Sequence, residues 1–340
     1  MNMPAGWPRL SVVVNNYNYA QYLPEALGSV IRQMIEGDEL IVVDDGSTDG
    51  SSALLRQFAR DYGIRLIEQA NCGQMGTVRT GIDAAQGDVV VLLDSDDYFL
   101  DGYLQRLRDI YAANPDVSFV FANAQIGGES LTGRNNMRGL FRRLEFPPGK
   151  IGTTKWATLL FYEFVGLPTS GLSLHRSLAD NIIALPTNVD EVIAIPPLHS
   201  KLLGISKTEQ AKSRITADGV IVRCASIFGA QKYYDDRPGF LYRIHGDNKY
   251  ATTSRLGRWY LLRLRKKQFR RMFTEHSAIA EKPTALELRQ EIQGRAFGKR
   301  LMRRITVRGN YCRAVLASRG SLGEKWAALA AALGLGRRES

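Results

Sequence analysis

Five short apolar runs alternate with stretches of helical periodicity between residues 10 and 121, and this alternation limits the chain to few architectures. The runs are residues 10–14, 39–43, 64–67, 89–93 and 117–121. After the first, residues 22–33 place Leu23, Ala26, Leu27, Val30 and Ile31 on one helical face, with Pro24 suited to a first turn. Ser47, Thr48 and Asp49 offer caps for a helix through Leu54, Leu55 and Phe58. Residues 76–85 read as a third helix, ended by Gly87, and residues 103–113 as a fourth. Strands and helices in this order predict an α/β fold, a mostly parallel sheet with helices on both faces.

In such a sheet, ligands bind beyond the C-terminal strand ends. Here those ends read NNYNYA, DDGSTDGS, NCGQMG and DSDD. The fourth places Asp94, Asp96 and Asp97 at the mouth of a hydrophobic strand, where their mutual repulsion costs stability unless a cation offsets it. An ordinary turn after a strand accounts for two such acids but poorly for three. No GxGxxG follows the first strand and no GxxxxGK[ST] is present, which argues against dinucleotide dehydrogenases and P-loop NTPases. Asp44 and Asp45 would repel a phosphate but can accept hydrogen bonds from a base N–H or ribose hydroxyls. A diphosphate fits beside Asp94–Asp97 only with a divalent metal between them, and magnesium or manganese suits oxygen ligands.

No apolar stretch reaches the roughly 18–20 residues of a membrane span, and the start, MNMPAGWPRL, lacks the character of a secretory signal. Cys72, Cys224 and Cys312 are widely spaced, which predicts a reducing compartment and no cysteine-based zinc site. These features predict a cytoplasmic protein. The net charge of +11 is uneven: residues 251–340 hold 21 Lys+Arg against 6 Asp+Glu, and residues 1–250 hold 24 against 28. A basic tail suits an anionic partner.

Beyond residue 126, residues 127–150 read as a loop, 155–165 as a helix, PTSGLSLHR as a turn into a strand and 200–213 as polar and mobile. Residues 215–229 have a helical pattern, 238–245 read as a strand, and basic amphipathic helices begin at Leu256.

Four segments together resemble family 2 glycosyltransferases of the GT-A fold: SVVVNNYNYAQYLPEALGSVIRQ, LIVVDDGSTDGS, NCGQMGTVRTGIDAAQGD and VVVLLDSDDYF. PTSGLSLHR, ITADG and LYRIHGDN are similar, more loosely, to that family's acceptor half. The resemblance implies a nucleotide-sugar half at 1–125, an acceptor half at 126–250 of the same GT-A domain, and a basic helical extension at 251–340. It implies inverting transfer of a hexosyl or hexosaminyl group from a nucleotide diphosphate sugar to an acceptor hydroxyl, in surface polysaccharide or glycolipid assembly. The acceptor would be a glycan or lipid-linked glycan, and the cofactor a divalent metal, Mn2+ or Mg2+. Asp96 matches the last acid of the family's DxD motif and is the expected metal ligand. Asp94 matches the first and would meet the ribose or a metal-bound water, with Ser95 between them. Asn16, Tyr17, Asp44, Asp45 and Gln74 would line the nucleotide and sugar pocket. Where the family often has Pro-Thr-Tyr-Asn, this chain has Asn15-Asn16-Tyr17-Asn18.

Inversion also needs a general base on the acceptor side. Asp218, in ITADG, stands at the family's base position; a helix N-cap is the plainer alternative, and Asp190 or Glu191 is the rival base. His245 is either a metal ligand or a hydrogen-bonding residue at a strand end. Thr169, Ser170 and Gly171 line the acceptor or the donor sugar, or form an ordinary turn. In the tail, Arg258, Arg265 and Arg270 interleave with Trp259, Leu264 and Phe269. That pattern fits peripheral contact with an anionic membrane at its inner face, or a solvated structural cap. No nucleic-acid reading motif accompanies the charge. Nucleotidyl transfer and a non-catalytic nucleotide-sugar-binding module are the competing functions.

Overall fold

The computed structural model describes residues 6–128, 146–185, 216–245, 282–295 and 301–335, the last with side chains from 305. The stretch 200–213, the rival acids Asp190 and Glu191, and the arginine-rich segment from Leu256 through Arg270 lie outside the described residues.

The first half alternates as its sequence periodicity predicts. It runs β1 (Leu10–Asn16), α1 (Leu23–Ile31), β2 (Glu39–Asp44), α2 (Ser51–Tyr62), β3 (Arg65–Glu68), α3 (Gln74–Ala84) and β4 (Val89–Asp94). These strands pair in parallel in the order β3-β2-β1-β4. β1 and β4 are buried along almost their whole length, because helices cover both faces. At Gly81 a Cβ would collide with Val13 Cγ1, so glycine lets α3 lie directly on β1. Next come β5 (Tyr98–Phe99), α4 (Tyr103–Ala113), β6 (Phe119–Gly128), β7 (Gly149–Gly152), α5 (Lys155–Phe161), a 3-10 turn (Thr169–Gly171), β8 (Leu172–His175), α6 (Arg176–Ile183), α7 (Ala217–Ile227) and β9 (Lys232–Ile244). β8 runs antiparallel between β4 and β6, β6 pairs in parallel with β9, and β5 and β7 lie antiparallel to β9.

Several boundaries differ from the sequence reading. β9 starts six residues before the expected strand at 238, because Pro238 does not end it. Register shifts around Asn123, opposite Pro238, form an irregularity that absorbs a residue with no N–H to give. α5 stops at Phe161 rather than 165, where Tyr162 turns left-handed at φ 64°. Gly50 is the N-cap of α2, and Asp49 Oδ1 accepts from Ser51 N at 3.0 Å. Ser47, expected as a cap, instead donates to Asp44 at 2.5 Å and accepts from the Asn18 N–H at 2.9 Å.

The described part of the C-terminal extension is packed, not free. α8 (Ala285–Gln293), α9 (Leu301–Ala317) and α10 (Leu322–Leu333) close a second small core with Trp156 of α5. Glu291 fastens it: its carboxylate accepts from Trp156 N at 2.8 Å, Ala157 N at 2.9 Å and the Tyr311 hydroxyl at 3.0 Å. Arg295 adds an ion pair to Glu163 at 2.5 Å.

Burial pushes the Glu291 carboxyl up to about 7, against the pull of those three donors. A carboxyl raised in this way holds a proton that the unfolded chain releases. Its stabilising contribution is therefore full below the unfolded value near 4.5 and is lost as pH rises through about 7. Between about pH 5 and 7.5, the denaturation midpoint of Glu291→Gln is expected to vary less with pH than that of the wild type. Parallel pH profiles would remove Glu291 as the titrating group. No described helix is long and apolar enough to cross a membrane.

Candidate active site

The register of the parallel strands assembles the site. Asn15 lies beside Asp94 across β1 and β4, and Asn16 lies beside Asp44 across β1 and β2. The polar strand ends therefore meet at one edge of the sheet, as two acidic groups with different surroundings.

In the first, Asp44 is buried and accepts from Asn16 Nδ2 at 2.8 Å, Ser47 Oγ at 2.5 Å and Ser52 Oγ at 2.6 Å. Asn16 Oδ1 is buried with no hydrogen-bond partner among the described residues, and Tyr17 beside it is 46% exposed. Asp45 takes the backbone N–H groups of Cys72 at 2.9 Å and Gly73 at 2.8 Å, and Gln69 Nε2 at 2.8 Å. Burial alone would raise its carboxyl, but those donors outweigh burial and hold it below the usual carboxylate range. Asp45 thus shapes the turn that starts α3.

The second group is Asp94, Asp96 and Asp97, whose oxygens lie within 4.8 Å of one another. Asp94 accepts from Asn15 Nδ2 at 2.9 Å and Gln74 Nε2 at 2.8 Å. Burial and the neighbouring Asp96 charge push its carboxyl up to about 7, and Asp218 adds to the effect. Asp97 is raised by burial, then by Asp96 and Asp94. Ser170 braces the pair: its Oγ donates to Asp97 Oδ2 at 2.6 Å and accepts from Asp94 N at 3.1 Å. Thr169, Ser170 and Gly171 are all buried, and a Cβ on Gly171 would meet the Ala122 carbonyl at 2.7 Å. Three carboxylates clustered this closely are a donor set suited to a hard divalent cation. Ser95 Oγ, between the acids, is buried with no partner among the described residues.

His245 Nε2 lies 2.9 Å from Asp96 Oδ2, with the rings of Tyr19 and Tyr22 at 5.4 and 5.3 Å from its own. Asp218 sits in the first turn of α7, one residue beyond the helix start. Thr216, not Asp218, is the N-cap residue, and the Asp218 carboxylate accepts from its neighbour Gly219 N at 2.7 Å. Gln74 links the two halves, donating to Asp94 and accepting from Ala217 N at 3.3 Å.

Two residues at this edge were not picked out in the sequence. Arg243 N donates to Asp97 Oδ1 at 2.9 Å, its Nε donates to the Asp96 carbonyl at 2.9 Å, and its guanidinium pairs with Glu25. Tyr242 is buried beside the acids, and burial followed by the charges of Asp97, Asp96, Asp94 and Asp218 raises its hydroxyl. Their position in LYRIHGDN, two and three residues before the selected His245, was the available signal.

Comparison with known proteins agrees with this fold. The profile of "Glycosyl transferase family 2" matches residues 11–166. An uncharacterized glycosyltransferase, alr2836, from Nostoc sp. is 31% identical over 251 residues, which cover 72% of this chain and 68% of that protein. The GalNAc(5)-diNAcBac-PP-undecaprenol beta-1,3-glucosyltransferase of Campylobacter jejuni is 33% identical over 125 residues, covering 36% of this chain and 40% of that one. Among solved structures, the mannosyltransferase PcManGT of Pyrobaculum calidifontis, in complex with GDP-Man and Mn2+, superposes with a TM-score of 0.51 at 17% identity, over 97% of this chain and 87% of that one. The chain belongs to glycosyl transferase family 2 and has the GT-A fold.

Proposed function

We propose that this protein is an inverting, metal-dependent hexosyl- or hexosaminyltransferase. On this reading it moves a sugar from a nucleotide diphosphate sugar to a hydroxyl of a glycan or lipid-linked acceptor, in surface polysaccharide or glycolipid assembly. The observation that carries it is the convergence of Asp94, Asp96 and Asp97 with Asp218 at one sheet edge, bridged by Gln74. Asp96, with His245 bonded to it, would hold the metal, and Asp94 would meet the ribose or a metal-bound water. Bound there, Mn2+ or Mg2+ supplies Lewis-acid neutralisation of the diphosphate. Asn16, Tyr17 and Asp44 frame the base and ribose pocket, and Asp45 keeps the loop into α3 in shape beside them.

Asp218 takes the proton of the acceptor hydroxyl as its oxygen bonds to the anomeric carbon. The bond from that carbon to the diphosphate breaks on the opposite face, and the electron pair leaves with the diphosphate. Backside attack inverts the anomeric centre. Proton NMR of the first-formed product tests this: the anomer opposite to that of the donor is expected, and a retained anomer would overturn the inverting reading.

The raised Asp94 carboxyl gives a pH prediction. Metal binding needs the ionised acids, so protons compete with it below about pH 7. Manganese-dependent affinity for a nucleoside diphosphate is expected to weaken by up to about tenfold per pH unit below that point. Asp94→Asn should flatten the profile in calorimetric titrations, and an unchanged slope would assign the titration elsewhere.

A further inference from the structure

α10 carries its large apolar side chains outward and its small ones inward. Ala328 and Ala332 are buried in the second core, whereas Leu322, Trp326 and Leu333 are 79%, 70% and 55% exposed. At about 100° per residue, positions 322, 326 and 333 fall within roughly 40° of one another, so they form one stripe along the helix. Leu316, near the end of α9, is 65% exposed, and its carbonyl accepts from Lys325 Nζ at 3.4 Å, which brings it to the same end of α10. Leu335, just past the helix, is 76% exposed. An apolar surface of this kind on a soluble chain marks an interaction site.

Charge selects the occupant. Residues 301–335 hold six Lys+Arg and one acid, Glu324. That acid is engaged with Ser321, accepting from its N at 2.7 Å and its Oγ at 3.0 Å. A second copy would bring together two segments of the same net positive charge. The stripe also runs along a helix of only 12 residues, about 18 Å long and about 10 Å wide, so roughly 180 Å² and well short of the roughly 800 Å² per partner that a stable interface buries. An anionic bilayer matches both features, offering acyl chains to the leucines, a headgroup layer to Trp326 and negative charge to the cations. α10 packs on α8, α8 on α5, and α5 on α7, which begins at the Asp218 turn. The stripe is thus joined, element by element, to the proposed acceptor side.

We propose that the outward face of α9 and α10 docks on an anionic lipid surface, with Trp326 seated at headgroup level and Leu322 and Leu333 reaching the acyl chains. This deepens the reading of a lipid-linked acceptor and rests on it for its purpose.

The test is co-sedimentation of the full-length protein with vesicles of phosphatidylcholine alone or with about 30% phosphatidylglycerol, at low and high salt. Wild-type protein is expected to partition onto the anionic vesicles, less at high salt and least onto pure phosphatidylcholine. Trp326→Glu should weaken that partitioning about tenfold or more while keeping the melting temperature, because the side chain is exposed. Leu322→Ser with Leu333→Ser is a second variant should the first misfold. Wild-type binding that the folded variants retain would overturn the proposal. So would no binding at low salt, or a wild-type dimer by light scattering that Trp326→Glu splits. Mn2+-dependent binding of UDP or GDP, titrated without vesicles, keeps the two readings apart: nucleotide binding without vesicle binding sinks only the docking, and vesicle binding without nucleotide binding sinks only the transferase reading.

Discussion

Asp218→Asn is expected to lower turnover by about a hundredfold or more while leaving nucleotide diphosphate affinity within about twofold of wild type. Asparagine keeps the size and polarity of the side chain but cannot accept the acceptor's proton. The fold should be nearly indifferent, because Thr216 occupies the N-cap and, among the described residues, the Asp218 carboxylate accepts from the adjacent Gly219 N–H. Loss of a true cap would cost ~1 kcal/mol and spare turnover. Measuring melting temperature and turnover on the same variant separates these outcomes. Full turnover would move the base elsewhere, with Asp190 and Glu191 the first residues to test.

Asp96→Ala is expected to cut transfer by about a thousandfold or more, the scale on which removal of a principal charge-stabilising element acts. The melting temperature should hold or rise. Asp96 is a leading cause, after burial, of the raised carboxyls of Asp94 and Asp97, so its removal relieves repulsion at the sheet edge. Its side chain is 14% exposed and bonds to His245, whose loss of a partner offsets part of that gain. Near-wild-type turnover at saturating donor would take Asp96 out of the metal role.

The parallel half of the sheet was legible because period and polarity agreed there: strands buried on both faces read as unbroken apolar runs, and polar residues marked where each ended. The same pattern located Asp94, Asp96 and Asp97 at one edge. Elements built by pairing rather than by local pattern were not legible. β5 is two residues long and exists because Tyr98 and Phe99 pair with Leu241 and Phe240. β9 runs through Pro238, which in the sequence signals an ending, because the irregularity opposite Asn123 accommodates it. Distant contacts hid the roles of other residues. Nothing local tells that Ser170 reaches back 73 residues to Asp97, or that the backbone of Arg243 holds the same carboxylate from 146 residues away. Glu291 is one of six acids in a basic tail, yet it receives the N–H groups of Trp156 and Ala157 in the first turn of α5.

On the proposed function, the acids at the end of β4 bind a nucleotide diphosphate through a divalent cation. Calorimetric titration with UDP and GDP, each with and without Mn2+, on wild type and Asp96→Ala, tests it most directly. The account predicts that wild-type protein binds at least one of them, at least about tenfold more tightly with Mn2+, and that Asp96→Ala loses this enhancement while remaining folded. Equal affinity with and without Mn2+ in the wild type, or an enhancement that survives in Asp96→Ala, would contradict it.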